Sequence, residues 1–529
     1  MSRKEVEGNL VDVLDGRIYP ARLIVVDARV YGIREISSAP DSYILPGLID
    51  AHIHIESSTL CPSRFAEAAV AHGTTAVISD PHEIANVMGM EGVMYMVEEA
   101  RHTPVRLFFT APSCVPAMPN QMHGGRLGRE EVRELLRKDC FVALGEVMNY
   151  RSVLANDPET MGKLEMARSE GKPVDGHAPG LTGGDLDRYI SAGISTDHEC
   201  TTNEEALEKH RKGMRIMIRQ GSASKNMESL AQFAMSNKCF LVSDDLDALD
   251  LTKGHVNRLL ANAVAFGMDP LHAIRAVTLW PAEHYNLPCG RLRENGMADF
   301  VVVNDLDEFR VLETWIGGNM VAKDGKALFS AKPNPLKPSI LHPNLRAQDL
   351  MIKHIGLVAR VEYIQALPDQ IMGGIGTVVL EVRSGTVLPD VSRDVLLLAV
   401  ANRYVKAPAS LEFIRGFGLK SGAIASSVAH DAHNIIGVGT SSQTLANAMN
   451  SAASQGGGYY AFDGERSCAL PLPVAGLMSD LPCSEVSGMQ ARIDAFVRNM
   501  GCQLPAPFMT LSFQDPEFRK MIMGNSGRD

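Results

Sequence analysis

The chain lacks the marks of several large protein classes. Its nine cysteines are scattered over 529 residues, odd in number and without a CxxC pair. That usage excludes a disulfide framework and reads as reduced thiols in a cytoplasmic protein. No run approaches the roughly 18 apolar residues of a membrane helix, and the opening MSRKEVEGNLVDVL holds no apolar core of a secretory leader. Basic blocks are missing too. With a net charge of −11, neither nucleic acid nor an anionic membrane is expected as a partner. There is no Walker A loop and no GxSxG elbow, so phosphate cradling and serine-elbow hydrolysis lose their usual signals. What is present is ordinary for a globular protein: 45% apolar and 21% charged residues. The 26 methionines read as core filling. The length exceeds one hydrophobic core, so two or three domains are expected.

Two short β groups stand far apart. NLVDVLDG, RIYPARLIVVD and ARVYGIREI fall within residues 9–36, with turns at Gly16 and Asp27; the second group is MADFVVVNDLDEFRVLETWIGGNMVAKDG at 297–325. Gly317-Gly318 and Asp324-Gly325 are hairpin signals there. We expect residues 1–43 and 290–330 to form one split β domain, with 44–289 inserted. Within the insert, eight short apolar runs alternate with helical patterns: YILPGLIDAHIHI, TTAVISD, VRLFFTA, FVALGEV, KPVDGH, GISTDH, RIMIRQ and CFLVSDD. This rhythm predicts parallel βα units closing into a (β/α)8, TIM-like barrel. An open doubly wound sheet is the alternative, disfavoured because no glycine-rich fingerprint follows the first strand. Residues 331–529 form a third, α/β or α+β, domain; the tail from about 510 has no readable pattern.

Barrel active sites lie where the strands end at their carboxyl side. The first run ends in His52 and His54, which share one face at i, i+2 spacing. The second ends in Asp80, followed by His82 and Glu83; the fourth ends in Glu146, the fifth in His177, the sixth in His198, and the eighth in Asp244 and Asp245. Each has a plain structural alternative: a loop histidine for His177 or His198, an arginine-paired acid for Glu146, a helix N-cap for Asp244. Falling together at strand ends, they point to a metal site. His54-Ile55-Glu56 also matches half of the cytidine-type zinc deaminase signature, but its partner at Pro288-Cys289 lacks the second cysteine.

PGLIDAHIH, GEVMN, the single histidines of strands five and six and the strand-eight aspartate resemble the amidohydrolase superfamily. HIESSTLCPSRFAEAAVAHGTTAVISDPHEIANVMG, GFGLKSGAIASSVAHDAHNIIGVGTS, GGGYYAFDGE and LPLPVAGLMSD resemble its adenine deaminase family, over most of the chain. The resemblance implies hydrolysis of adenine to hypoxanthine and ammonia by a metal-activated hydroxide, in purine salvage. It implies a divalent, binuclear centre of manganese, iron or zinc, a small purine base as the molecule bound, and a homo-oligomer. His52 and His54 would hold one metal, His177 and His198 the second, with Glu146 bridging. Asp244 would bind metal and handle the proton. His82 and Glu83 face the same mouth and are expected in substrate binding or proton transfer; the alternative is a pair capping a helix that starts at Asn86. Asp80, Asp245, His430 and His433 are further candidates for the substrate pocket, and a structural turn around Asp431 is the alternative for the last two. The chain departs from the family pattern after Asp244, in SDDLDALDL, and at NRYVKAPASLEF, which bears on the substrate more than on the reaction class. A related hydrolase of cyclic amides or N-acyl groups is the nearest rival; a non-catalytic barrel would be expected to have lost these ligands.

Overall fold

The computed structural model describes residues 3–118, 122–222, 224–336, 340–368 and 373–516. The two distant β groups do meet. Arg3–Asp12, Arg17–Val26, Arg29–Glu35 and Tyr43–Pro46 join Phe300–Val303, Val311–Ile316, Asn319–Lys323 and Lys326–Ala327 in one eight-stranded sheet. The seam is the antiparallel pair Phe300–Val303 with Tyr43–Pro46, in register Val301 to Leu45. Both hairpin turns carry the positive φ that their Gly-Gly and Asp-Gly pairs permit: +55° and +69° at Gly317 and Gly318, +48° and +74° at Asp324 and Gly325. One boundary needs correcting. The run YILPGLIDAHIHI is not a single barrel strand: Tyr43–Pro46 belongs to the small sheet, and the chain crosses into the barrel at Gly47. A Cβ on Gly47 would lie 2.2 Å from Thr75 Oγ1, so only glycine allows that crossing.

The barrel strands are β1 (Leu48–Ile53), β2 (Thr74–Ser79), β3 (Arg106–Ala111), β4 (Phe141–Val147), β5 (Val174–Gly176), β6 (Thr196–Asp197), β7 (Arg215–Arg219) and β8 (Cys239–Val242). β1 to β5 form one parallel arc and β6 to β8 a second. Backbone bonds close the ring: Asp244 N–H to His52 O at 3.0 Å and His54 N–H to Asp244 O at 3.2 Å on one side, Ser195 N–H to Val174 O at 2.9 Å on the other. β1, β2 and β8 are buried along their whole length, as parallel strands covered on both faces are, and the polar Asp50 and His52 of β1 are buried with them. Among the described residues, no helix is long and apolar enough to cross a membrane.

Beyond the barrel lies a nine-stranded sheet. Its pairs are antiparallel except Val358–Gln365 beside Ser410–Arg415. With helices Ser442–Ser454, Cys483–Asn499 and Pro507–Ser512 gathered around it, this is the α+β form of the two arrangements expected. That last helix runs into the start of the stretch from about 510 that showed no pattern; residues 517–529 of the tail lie outside the described residues.

Candidate metal centre

The strand ends converge on one buried cluster. His54 Nδ1 donates to Asp80 O at 3.1 Å, which turns Nε2 inward, 3.3 Å from both Glu146 Oε1 and Asp244 Oδ1. His52 Nε2 lies 3.4 Å from the same Asp244 oxygen, and its ring stacks on His198 at 4.3 Å. Glu146 stands between the histidine groups: its other oxygen, Oε2, is 2.8 Å from His177 Nδ1 and 3.3 Å from His198 Nε2. Asp244 has φ +58°, a left-handed conformation that aspartate tolerates better than most residues. It is not a helix N-cap; Asp247 is, before Ala248–Leu251.

Burial opposes the charge of Glu146. The charge of His177 and hydrogen bonds from His177, His198 and His54 outweigh it and hold the carboxyl well below its ordinary value. Asp244 is likewise held low against burial, by His52, His54 and Arg219. These donors fit divalent ions. His52, His54 and Asp244 offer ligand atoms within 4.8 Å of one another, as do His52, Glu146 and His198, and also His177, His198 and Glu199. Among the described residues, buried His52 Nε2 has no hydrogen-bond partner, as expected of a nitrogen placed for coordination.

His82 and Glu83 do not cap a helix from Asn86. The helix runs His82–Ala100, and both residues occupy its first turn without capping it. His82 Nδ1 lies 3.5 Å from Asp80 Oδ1 and from Glu146 Oε1. Glu83 points to the third domain: its Oε1 is 2.7 Å from His430 Nδ1, and Oε2 accepts from His433 Nε2. His433 Nδ1 accepts the Ala429 N–H at 3.2 Å, so Nε2 carries the proton. Burial opposes charge on Glu83 too, but His430, His433 and His82 keep it well below the carboxylate range. The third domain therefore closes over the barrel mouth. Asp431 Oδ1 approaches His82 Nε2 to 4.0 Å, which places this segment against the barrel mouth.

Asp80 and Asp245 lie at the margin of the cluster. Asp80 Oδ2 accepts the Glu146 N–H at 3.0 Å, supporting the Glu146 backbone from beneath. A Cβ on Gly145 would sit 2.3 Å from that oxygen. Asp245 Oδ1 accepts from Ser57 Oγ at 2.6 Å, and burial and Asp244 push its carboxyl up. The segments that depart from the family pattern brace the third domain. Asp247 Oδ2 accepts from Gln490 Nε2 at 2.7 Å, Arg403 donates to His433 O and Ala475 O, and Tyr404 Oη donates to Ala432 O at 2.6 Å.

Sequence reading missed Glu199 and Arg219. Glu199 Oε1 is 3.3 Å from His198 Nε2 and 3.4 Å from His177 Nδ1. Arg219 ends β7, so the rule that finds the other strand-end groups also points to it, but arginine is not a metal ligand and a search for ligands does not reach it.

Residues 43–321 match the Amidohydrolase family and residues 370–516 the Adenine deaminase C-terminal domain. The chain is 46% identical to the adenine deaminase of Methanothermobacter thermautotrophicus over 96% of its length and 94% of that protein. The chain belongs to the adenine deaminase family. It is also 44% identical to the adenine deaminase of Methanosphaera stadtmanae, over 96% of this chain and 94% of that one, and 42% identical to that of Salinibacter ruber, over 96% and 93%. Membership in the amidohydrolase family carries a divalent metal with it, and the buried histidine and carboxylate groups are placed to hold one.

Proposed function

We propose that this protein hydrolyses adenine to hypoxanthine and ammonia at a binuclear centre of manganese or iron. His52, His54, Glu146, His177, His198 and Asp244 would be the ligands, with Glu146 shared. The observation that carries the reading is Glu146, whose two oxygens face the two histidine groups separately, in a chain that matches an adenine deaminase over 96% of its length. A bound divalent ion supplies a nucleophilic water at neutral pH by lowering its pKa to about 7. Asp244 Oδ1, beside His52 and His54, takes the proton of the attacking water and delivers it to the departing amine. Glu83, fixed at both oxygens, exchanges a proton with a ring nitrogen, and His82 orients the base. The third domain keeps bulk water out of the closed mouth.

The test is ammonia release from adenine by protein expressed with manganese or iron. Turnover abolished by a chelator and restored by manganese is the expected result. Two bound metals per chain without adenine turnover would refute the substrate and leave a hydrolase of another cyclic amidine or amide.

A further inference from the structure

Arg219, at the end of β7, is a buried cation that the chemistry above does not use. Its guanidinium holds two carboxylates at once. Nη1 donates to Glu199 Oε1 at 2.5 Å and to Asp244 Oδ2 at 2.8 Å, and Nη2 donates to Glu199 Oε2 at 2.9 Å. The two carboxylates belong to opposite halves of the cluster. Asp244 turns its other oxygen to His52 and His54, at 3.4 and 3.3 Å. Glu199 faces His198 and His177, at 3.3 and 3.4 Å. The tie is itself braced. Asn226 Oδ1 accepts the Arg219 N–H at 2.8 Å, and Asn226 Nδ2 donates to His198 O and Cys200 O at 3.3 and 2.9 Å. β7 and the turn carrying His198 and Glu199 are thus stapled together.

We propose that Arg219 is a positioning residue that couples the two halves of the metal centre, presenting Asp244 Oδ1 to the attacking water and holding Glu199 beside the second half. The inference rests on the proposed metal-dependent deamination. Three features lead to it. Glu146, Asp244 and Glu199 are three buried carboxylates in one cluster, and Arg219 offsets their mutual repulsion without being a ligand. A guanidinium fork grips one carboxylate by both oxygens and still reaches a second, which the single ammonium of lysine does not match. With Oδ2 engaged by Arg219, the Asp244 carboxylate cannot rotate freely, so Oδ1 is the oxygen left for chemistry.

The experiment titrates metal-stripped protein with Mn2+ alone, then measures adenine turnover at saturating Mn2+, for the parent, Arg219→Met and Arg219→Lys. Removing a group that orients metal ligands typically costs ~10–100-fold in metal affinity or activity. Arg219→Met is expected to bind at least one Mn2+ ~10-fold more weakly or worse and to lose kcat by ~10-fold or more, with KM for adenine within about threefold of the parent. Arg219→Lys should fall between the two. Parent-like Mn2+ affinity and kcat in Arg219→Met overturn the proposal. A lowered melting temperature with parent-like affinity and kcat also overturns it, since Arg219 is then merely structural. If Arg219→Met does not fold, Arg219→Lys decides: parent-like behaviour there means that charge alone suffices and refutes positioning by the fork. A parent that binds Mn2+ but leaves adenine untouched refutes the substrate, while the Mn2+ titrations still decide the role of Arg219.

Discussion

Lys209→Met tests how the second half of the centre is held. Lys209 lies on the helix Asn203–Arg211 with its side chain 0% exposed. Its ammonium donates to Ala178 O at 2.7 Å, Asp197 Oδ2 at 2.9 Å and Glu205 Oε1 at 2.7 Å. Asp197 passes the restraint on. Its Oδ1 accepts the Ala178 N–H at 2.8 Å, next to His177, and its Oδ2 accepts the Glu199 N–H at 3.2 Å, next to His198. Burial opposes the charge of Lys209, but Asp197 and Glu205 overcome it and hold its pKa above the ordinary lysine value. Methionine keeps the stem and removes the charge, leaving two buried carboxylates without their cation. Removing one partner of a buried pair costs about 3–5 kcal/mol, or roughly two to nearly four decades in a local opening equilibrium. Amide exchange at Ala178 and Glu199 should therefore quicken by about two decades or more, and Mn2+ affinity should fall ~10–100-fold. The exchange effect should shrink as pH drops toward the aspartate range and Asp197 takes up a proton. Unchanged exchange at both amides, with parent-like Mn2+ affinity, would refute the claim that this buried ammonium organises the two histidine loops.

Three further outcomes are expected. Asp244→Asn should lose at least ~100-fold in kcat, the lower range for a general base, and ammonia release within tenfold of the parent would remove Asp244 from proton transfer. A chelator should abolish turnover and lower the melting temperature, because metal bound only by the folded state stabilises it; calorimetry with and without Mn2+ checks this. Burial and nearby Asp247 push the carboxyl of Asp494 up to about 7. Its folded pKa lies above the unfolded value near 3.9, so its stabilising contribution is full below about pH 4 and is lost as pH rises through about 7. Asp494→Asn should therefore melt above the parent at alkaline pH, with the gap closing toward pH 4; a gap independent of pH would show that Asp494 is not buried as a neutral acid.

Much of the centre could be read from order along the chain. His52 and His54 share a face because side chains alternate on a strand. Glu146, His177, His198 and Asp244 come next to them because parallel barrel strands all end at the same rim. Glu199 and Arg219 were not found this way. A carboxylate two residues past a strand end and an arginine at one carry no motif, and their roles appear only when β6, β7 and β8 stand side by side. The boundary at Gly47 was also hidden, since the apolar run passes from Tyr43–Pro46 into Leu48–Ile49 without a polar break and periodicity cannot tell which sheet takes each. The closing of the third domain on Glu83 was beyond reach, because more than three hundred residues separate it from His430 and His433.

Local chemistry thus decided what the centre is made of: the eight strand-and-helix units, the residues at their ends, and the split β domain announced by its two turn-rich groups. Those features depend on backbone periodicity and turn preferences, which neighbouring residues set. Tertiary structure decided the rest. It turned Asp80 beneath Glu146, set Arg219 between Glu199 and Asp244, and brought the third domain down onto Glu83. Each of those contacts pairs buried charges from distant segments. Which partners meet is set by how whole domains pack, and no short stretch of sequence holds that information.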